Sequence, residues 1–453
     1  MPANERTVGP LNGFRVLALE SHWAGPHAMK LLAGMGAQVI TVEPPHFLIG
    51  TRTSFPFPDN DPGDEFWNRA ARYHELHRNR VGITIDLRNP RGVEVFKRLA
   101  KISDVVLENF PPRVMKNLGI DYGVLRKINP GIILLSSSGY GQTGPWRNYG
   151  AFGMGLEPST GLSHLTGYSD GPPIRCALPY TDAPSAFHNA VAILVALHYR
   201  RRTGKGQWID LAQYEVGVSL MASALMDYSM NQRVQSRIGN RDPFMAPHGC
   251  YPCRGDDKWV VLAVGTDRQW QAFCETVAHP EWQDDPRFAD PLERWRHQDI
   301  LDGLIAQWTR ERDNYEVMHL LQAQGIPSAP VLTNKDVLLD PHLRDRGFFE
   351  DVTYPERQHV GTRQYPGLPW KMSKTPGNLK EPAPTLGRDN QKVLAELLGM
   401  TPEEITALRQ EEVIGERLLG KLERKPQPLP LDEYKRQGRF QDYDLNFMEV
   451  LGH

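Results

Sequence analysis

Residues 14–43 read FRVLALESHWAGPHAMKLLAGMGAQVITVE, and this stretch decides the fold. Residues 14–20 form an apolar run of the kind that fills a strand buried on both faces. A short loop, SHWAGP, follows, and Pro26 suits the first turn of a helix reaching residues 32–34. Gly36 ends the connection, and QVITVE at 38–43 reads as a second strand. Strand, helix and strand in this order form a parallel, right-handed crossover unit.

The same alternation continues outward. Residues 83–87, 105–108 and 132–136 read as further strands, with helices near 91–101 and 113–118. This pattern predicts a doubly wound, Rossmann-like parallel sheet. Residues 140–180 are rich in Gly and Pro and read as a long loop region. Two long helices are expected at 183–201 and 211–230, joined by a turn at TGKGQ (203–207). The character then changes to a hairpin at 249–264, helices at 268–277 and 299–324, and a strand at 326–332. The expected division is therefore a large domain over 1–234, a small α+β domain over 235–345, and a return to the large domain over 346–423. The remainder, 424–453, is Pro-rich and charged and reads as an extended tail.

Composition narrows the function classes. Across 453 residues, 52 basic against 54 acidic side chains give a net charge of −2, which argues against nucleic-acid binding by bulk charge. Hydrophobic residues at 40% and charged residues at 23% fit a soluble globular chain. No apolar run approaches membrane-span length, and MPANERTVGP has no apolar core of a secretory signal. Four cysteines are few for a disulfide scaffold, so a reducing cytoplasm is the default expectation. Cys250 and Cys253 form a lone CxxC near His248, with no second ligand pair, and no metal is expected.

Two phosphate motifs fail on spacing. Glu43 lies about twenty residues beyond the first loop, as in dinucleotide sites, but that loop carries Ala24-Gly25-Pro26 in place of GxGxxG. Around TGKGQ, Tyr199 stands where a P-loop needs Gly, and Lys205 is followed by Gly206. Asp182, in ALPYTDAPSAFHNA, precedes a long apolar helix. It reads either as a helix cap or as a carboxylate held ionised at a helix's positive end for attack on a thioester. The two roles are compatible. Arg52, Arg80, Arg113 and Arg200–Arg202 supply cations for solvated faces or for phosphates. His22, His164, His188 and His248 are the histidines weighed for proton transfer, a role less common than a structural one.

Seven linked strings now bring a resemblance. They are residues 11–45, HRNRVGITIDL, DVVLENFPPRVMKNLGI, SSSGYGQTGPW, LTGYSDGPP, the Asp182 region with RRTGKGQWIDLAQYE, and GIPSAPV. In this order, over about residues 10–415, the chain resembles the family III CoA-transferases, which include formyl-CoA and carnitine CoA-transferases. The resemblance implies a large domain built from both chain ends, a small domain, and two interlocked subunits, identical or homologous. It implies that Asp182 attacks an acyl-CoA thioester and carries the acyl group and then CoA. It also implies CoA contacts at Trp23, Ala24, Gly25, Arg52, Arg80, Asn109 and Phe110, with Arg113 as a displaced phosphate ligand. A glycine loop would fall at 247–249, beside His248. No resident cofactor is implied, because CoA enters as the substrate's thioester. Trp23 replaces a small polar residue common in the family, which implies a larger or more apolar acid. SHWAGP and NFPPRVM are most similar to the branch acting on aromatic succinates such as benzylsuccinate, with succinyl-CoA as donor. An α-methylacyl-CoA racemase shares the resemblance, but its Gly-His-Asp string is here Gly150-Ala151-Phe152. A non-catalytic CoA-binding subunit of a heteromer is the other alternative, and the presence of Asp182 argues against it.

Overall fold

The computed structural model describes residues 9–422 and 425–451. Contact density divides the chain into two compact units: Met1–Leu162, Cys176–Ala222 and Pro341–His453 form the first, and Ser163–Arg175 with Ser223–Asp340 the second. The main segment of the second unit thus starts at Ser223 rather than at residue 235, and the unit also includes a piece of the Gly/Pro-rich region.

The first unit holds six parallel strands: β1 (Arg15–Leu19), β2 (Gln38–Glu43), β3 (Val81–Thr84), β4 (Val105–Glu108), β5 (Ile133–Ser138) and β6 (Trp208–Ala212). Their spatial order is β3-β2-β1-β4-β5-β6. Successive side chains of β1 enter opposite cores, as strand pleating requires. Leu17 and Leu19 join Ile40, Val42, Ile83, Val106 and Leu134 on one face, while Val16 and Ala18 join Val39, Val105, Leu107 and Ile133 on the other. Both faces are buried, which is why these strands read as continuous apolar runs.

The second face is covered by the Ala24–Gly34 and Asp182–Thr203 helices, whose Ala28, Ala33, Ala186 and Ala190 share its core. The first face is closed from the far end of the chain by Val393, Leu394, Ile405, Leu408, Val413 and Ile414. That return also seals the edge strand. Gly82 N–H donates to Asp389 Oδ2 at 2.8 Å and Thr84 N–H to Asn390 Oδ1 at 2.8 Å. An edge left with open N–H groups would template pairing with another chain.

Several expectations change. Residues 211–230 are not one helix: β6 occupies Trp208–Ala212, and helices follow at Gln213–Ser219 and Ala222–Asn231. TGKGQ therefore links a helix to a strand, with Gly204 at φ 71° ending the helix. The 299–324 helix is two, Gln298–Arg310 and Asn314–Gln322, because the Asp313 and Glu316 side chains form a capping box between them. The expected extended tail carries short helices at Leu431–Arg436 and Phe447–Leu451.

The second unit contains an antiparallel sheet of β7 (His248–Pro252), β8 (Trp259–Ala263) and β9 (Ser328–Val331), in that spatial order. Its own core gathers Val260, Leu262, Trp270, Phe273, Phe288, Leu301, Ile305, Val317 and Leu321. Back in the first unit, β10 (Phe349–Thr353) and β11 (Thr362–Pro366) pair as a hairpin inside the return. Among the described residues, no helix is long and apolar enough to cross a membrane.

Candidate active site

The strand order reverses between β1 and β4, so the connections leaving their carboxyl ends diverge and open a crevice. The chain after β1 is Glu20 to Pro26, and the chain after β4 is Asn109 to Arg113. Asn109 ties the two. Its Oδ1 accepts from Ser21 N–H at 3.1 Å, and its own N–H donates to Leu19 O at 3.2 Å. Ala24 and Gly25 are buried where the helix starts, and Trp23 and Phe110 are half-buried. Gly25 fits closely here, because a Cβ would press on Glu20, Leu107 and Asn109 at 3.2–3.4 Å. Arg113 is exposed and opens the Arg113–Asn117 helix.

Arg52 and Arg80, expected at CoA, are buried and spend their donors on groups inside the protein. Arg52 is fully buried. It donates to both Glu43 oxygens at 2.6 and 2.8 Å, to Tyr73 Oη at 2.6 Å, to Trp67 O at 2.9 Å and to Asn68 Oδ1 at 3.0 Å. Arg80, equally enclosed, pairs with Glu20 and donates to Pro26 O, to Leu76 O at 2.6 Å and to Thr41 Oγ1 at 3.3 Å. His77 completes this set, with Nε2 3.4 Å from Glu20 Oε1. Burial and the neighbouring Arg80 guanidinium hold the His77 pKa down. These arginines clamp β1, β2 and the first helix turn together from inside.

Asp182 is in a different state. Thr181 occupies the cap position, and Asp182 is the first residue of its 22-residue helix. The helix is anchored by Asn189, whose Nδ2 donates to Ser137 Oγ on β5 at 3.1 Å. The Asp182 carboxylate lies against Gly153, where any Cβ would collide with it and with Pro179. Asp182 is 9% exposed, and among the described residues its carboxylate accepts no hydrogen bond and joins no ion pair within 4 Å. Burial pushes its pKa up to about 6, opposed by the Arg72 guanidinium. At neutral pH the carboxylate is about nine-tenths ionised and poorly solvated. Such a group can attack an acyl carbon or take a proton.

Arg72 joins Asp182 to the crevice. It sits on the short Ala71–Leu76 helix, and its guanidinium carbon lies 5.0 Å from the centre of the Trp23 ring. Trp23 thus offers no bare apolar wall. Beyond it, the His22 ring meets Phe152 edge-on at 5.2 Å, and Phe152 adjoins Gly153. Sequence reading passed over Arg72, whose only signal was a basic run from Arg69 to Arg80. It also missed Glu108, which accepts from Phe110 N–H at 2.8 Å and whose pKa burial pushes up to about 7.

The remaining expected residue, His248, lies in the second unit. It begins β7, paired with Ala263, with Nδ1 2.9 Å from Asn240 O. The stretch expected as a flexible glycine loop is thus the start of a strand. His188 Nδ1 lies 2.8 Å from Pro184 O, within its own helix. Cys250 and Cys253 are separate thiols, and among the described residues no three His, Cys, Asp or Glu side chains gather as a metal site.

Comparison with known proteins shows the family of the chain. Residues 11–390 match the model of CoA-transferase family III. Succinyl-CoA–D-citramalate CoA-transferase of Chloroflexus aurantiacus is 35% identical, over 91% of this chain and 100% of that one. The alpha subunit of succinyl-CoA–L-malate CoA-transferase of Chloroflexus aurantiacus is 32% identical, over 89% of this chain and 92% of its own length. A crystal structure of a CaiB/BaiF family protein from Brucella suis superposes with a TM-score of 0.77 at 30% identity, covering 86% of this chain and 99% of that one. Sequence and fold agree over nearly the whole length, and the chain therefore belongs to CoA-transferase family III and is a CoA-transferase enzyme.

Proposed function

We propose that this enzyme takes CoA from succinyl-CoA and delivers it to a dicarboxylic acid, with Asp182 as the covalent carrier. The observation that carries this reading is the Asp182 carboxylate: buried, unspent, mostly ionised and backed by Gly153. The relatives' acids, citramalate and malate, are dicarboxylates. Benzylsuccinate belongs to the same class of acid.

An Asp182 oxygen attacks the succinyl thioester carbon, forming a C–O bond as the C–S bond breaks and CoA leaves as thiolate. The thiolate attacks Asp182 Cγ, forming aspartyl-CoA and releasing succinate with the transferred oxygen. The acceptor carboxylate then attacks Cγ and expels the thiolate. Finally the thiolate takes the acceptor's acyl carbon and frees Asp182. One thioester is exchanged for another, so the cycle balances without ATP or a resident cofactor. In this reading Trp23, Ala24, Gly25, Asn109 and Phe110 line the path of CoA, and Arg113 supplies an exposed cation for its phosphates.

We also propose that the enzyme works as an assembly, either the interlocked dimer of its family or a heteromer with a homologous subunit. Phe187, Val191, Val195 and Tyr199 form an exposed apolar stripe along the Asp182–Thr203 helix, at 44%, 58%, 62% and 44% exposure. Light scattering at micromolar concentration should report at least two chains, and a monomer would remove this part. Four free thiols fit a reducing compartment such as the cytoplasm.

The test is trapping. Incubation with succinyl-CoA and hydroxylamine should leave a hydroxamate on the peptide carrying Asp182, and Asp182→Asn should lower kcat/KM by about 10³-fold or more, the scale of losing a nucleophile. An unmodified peptide from enzyme that exchanges solvent deuterium at the α-carbon of an acyl-CoA would replace this reading with the racemase chemistry.

A further inference from the structure

We infer that Arg72 reads the acid: its guanidinium, held over Trp23, grips the far carboxylate of the dicarboxylic substrate. The inference rests on the dicarboxylate reading above and assigns it to one side chain.

Four arginines lie between residues 69 and 80, and three are committed. Arg69 donates to Gln358 O at 3.3 Å and Asp61 O at 3.1 Å. Arg78 donates to Leu379 O, Glu75 and Pro366 O at 3.1, 2.9 and 2.7 Å. Arg80 is clamped to Glu20 and Pro26 O. Arg72 makes no hydrogen bond and no ion pair within 4 Å among the described residues. It is exposed as a residue, yet neighbouring atoms strip enough water from its head to lower its pKa. A partly dehydrated guanidinium with its donors unspent is costly unless a ligand completes it.

The contact with Trp23 suits that ligand. A guanidinium lying over an indole uses its face and leaves its edge of N–H donors free. That edge matches a carboxylate bidentately. The position decides which anion it meets. Asp182 must stand at the thioester carbon, and the loop under Arg72 reaches it. His22, next to Trp23, meets Phe152, and Phe152 adjoins Gly153, against which the Asp182 carboxylate lies. A cation held over Trp23 therefore stands at the acyl end. The phosphates of CoA lie at the other end of the pantetheine arm. A second carboxylate brought near Asp182 without Arg72 would meet an uncompensated like charge.

The discriminating measurement compares glutarate with pentanoate, a monocarboxylate of equal chain length, using succinyl-CoA as donor. In a ping-pong cycle kcat/KM for the acceptor reports its own half-reaction. The ratio of kcat/KM for glutarate over pentanoate should fall at least tenfold in Arg72→Gln, and Arg72→Lys should restore part of it. A selective wild-type enzyme with an unchanged ratio in Arg72→Gln overturns this inference alone. A tenfold weaker Kd for CoA with the ratio preserved also overturns it, in favour of a phosphate contact. A wild-type enzyme that uses pentanoate as well as glutarate overturns the dicarboxylate reading and this inference with it. Matching Tm values for wild type and variant keep folding out of the comparison.

Discussion

Arg80 and Arg72 stand eight positions apart, and they have opposite fates. Arg80 is enclosed with Glu20 and His77 and holds the first helix turn through Pro26 O. Arg72 reaches out over Trp23 and, among the described residues, makes no hydrogen bond or ion pair within 4 Å. Residue type and sequence neighbourhood are shared, so the partner set alone separates a framework cation from a ligand-binding one. A buried charge whose acceptors are all internal contributes to folding, whereas a cation left short of acceptors beside a buried carboxylate is available to substrate.

The comparison breaks most visibly in stability. Arg80→Met should cost about 3–5 kcal/mol in denaturant unfolding, because Glu20 would be left as an unpaired buried charge. Arg72→Met should stay within about 0.5 kcal/mol of wild type in the same titration. A large loss at Arg72, or none at Arg80, would erase the distinction.

A subtler separation lies in pH. Ionised Asp182 is the attacking form, so kcat/KM should fall as pH drops through about 6. Arg72 favours the ionised form, so Arg72→Gln should move this acid limb upward by a fraction of a pH unit, while a framework cation would leave it in place. Stability runs the other way. A carboxyl whose folded pKa is raised holds its proton more tightly when folded. The Asp182 contribution is therefore fully present below its ordinary value of 3.8 and is lost as pH rises through about 6. Glu108 acts likewise, with its loss extending to about 7.

The sheet centre was legible because parallel strands buried on both faces leave an unbroken apolar signature, and residues 38–43 and 105–108 match β2 and β4 to the residue. β6 was not legible, since this edge strand buries only Ala212 fully and its Leu211 runs on into helical sequence. Asp182 stood out because it meets a long helix beside prolines. The internal partners of Arg52 and Arg80 were not legible because a sequence displays a cation without its acceptors, and theirs come from Glu43 and Glu20 at the ends of neighbouring strands. Arg72 went unseen for the converse reason: its meaning lies in contacts with Trp23 and Asp182, 49 positions before it and 110 after it.

The seal on β3 has a consequence for how the molecule is made. Asp389 and Asn390 supply its edge acceptors, and Val413 and Ile414 help roof its face, whereas β3 itself ends at Thr84. Roughly 300 residues of synthesis separate the strand from its cover, about 15–60 s at a rate of about 5–20 residues per second. Throughout that interval the nascent chain displays a greasy, half-dressed ledge, while the second unit, contiguous apart from Ser163–Arg175, is complete at Asp340. Birth order therefore runs opposite to rank, with the accessory unit set before the sheet that carries the chemistry is closed.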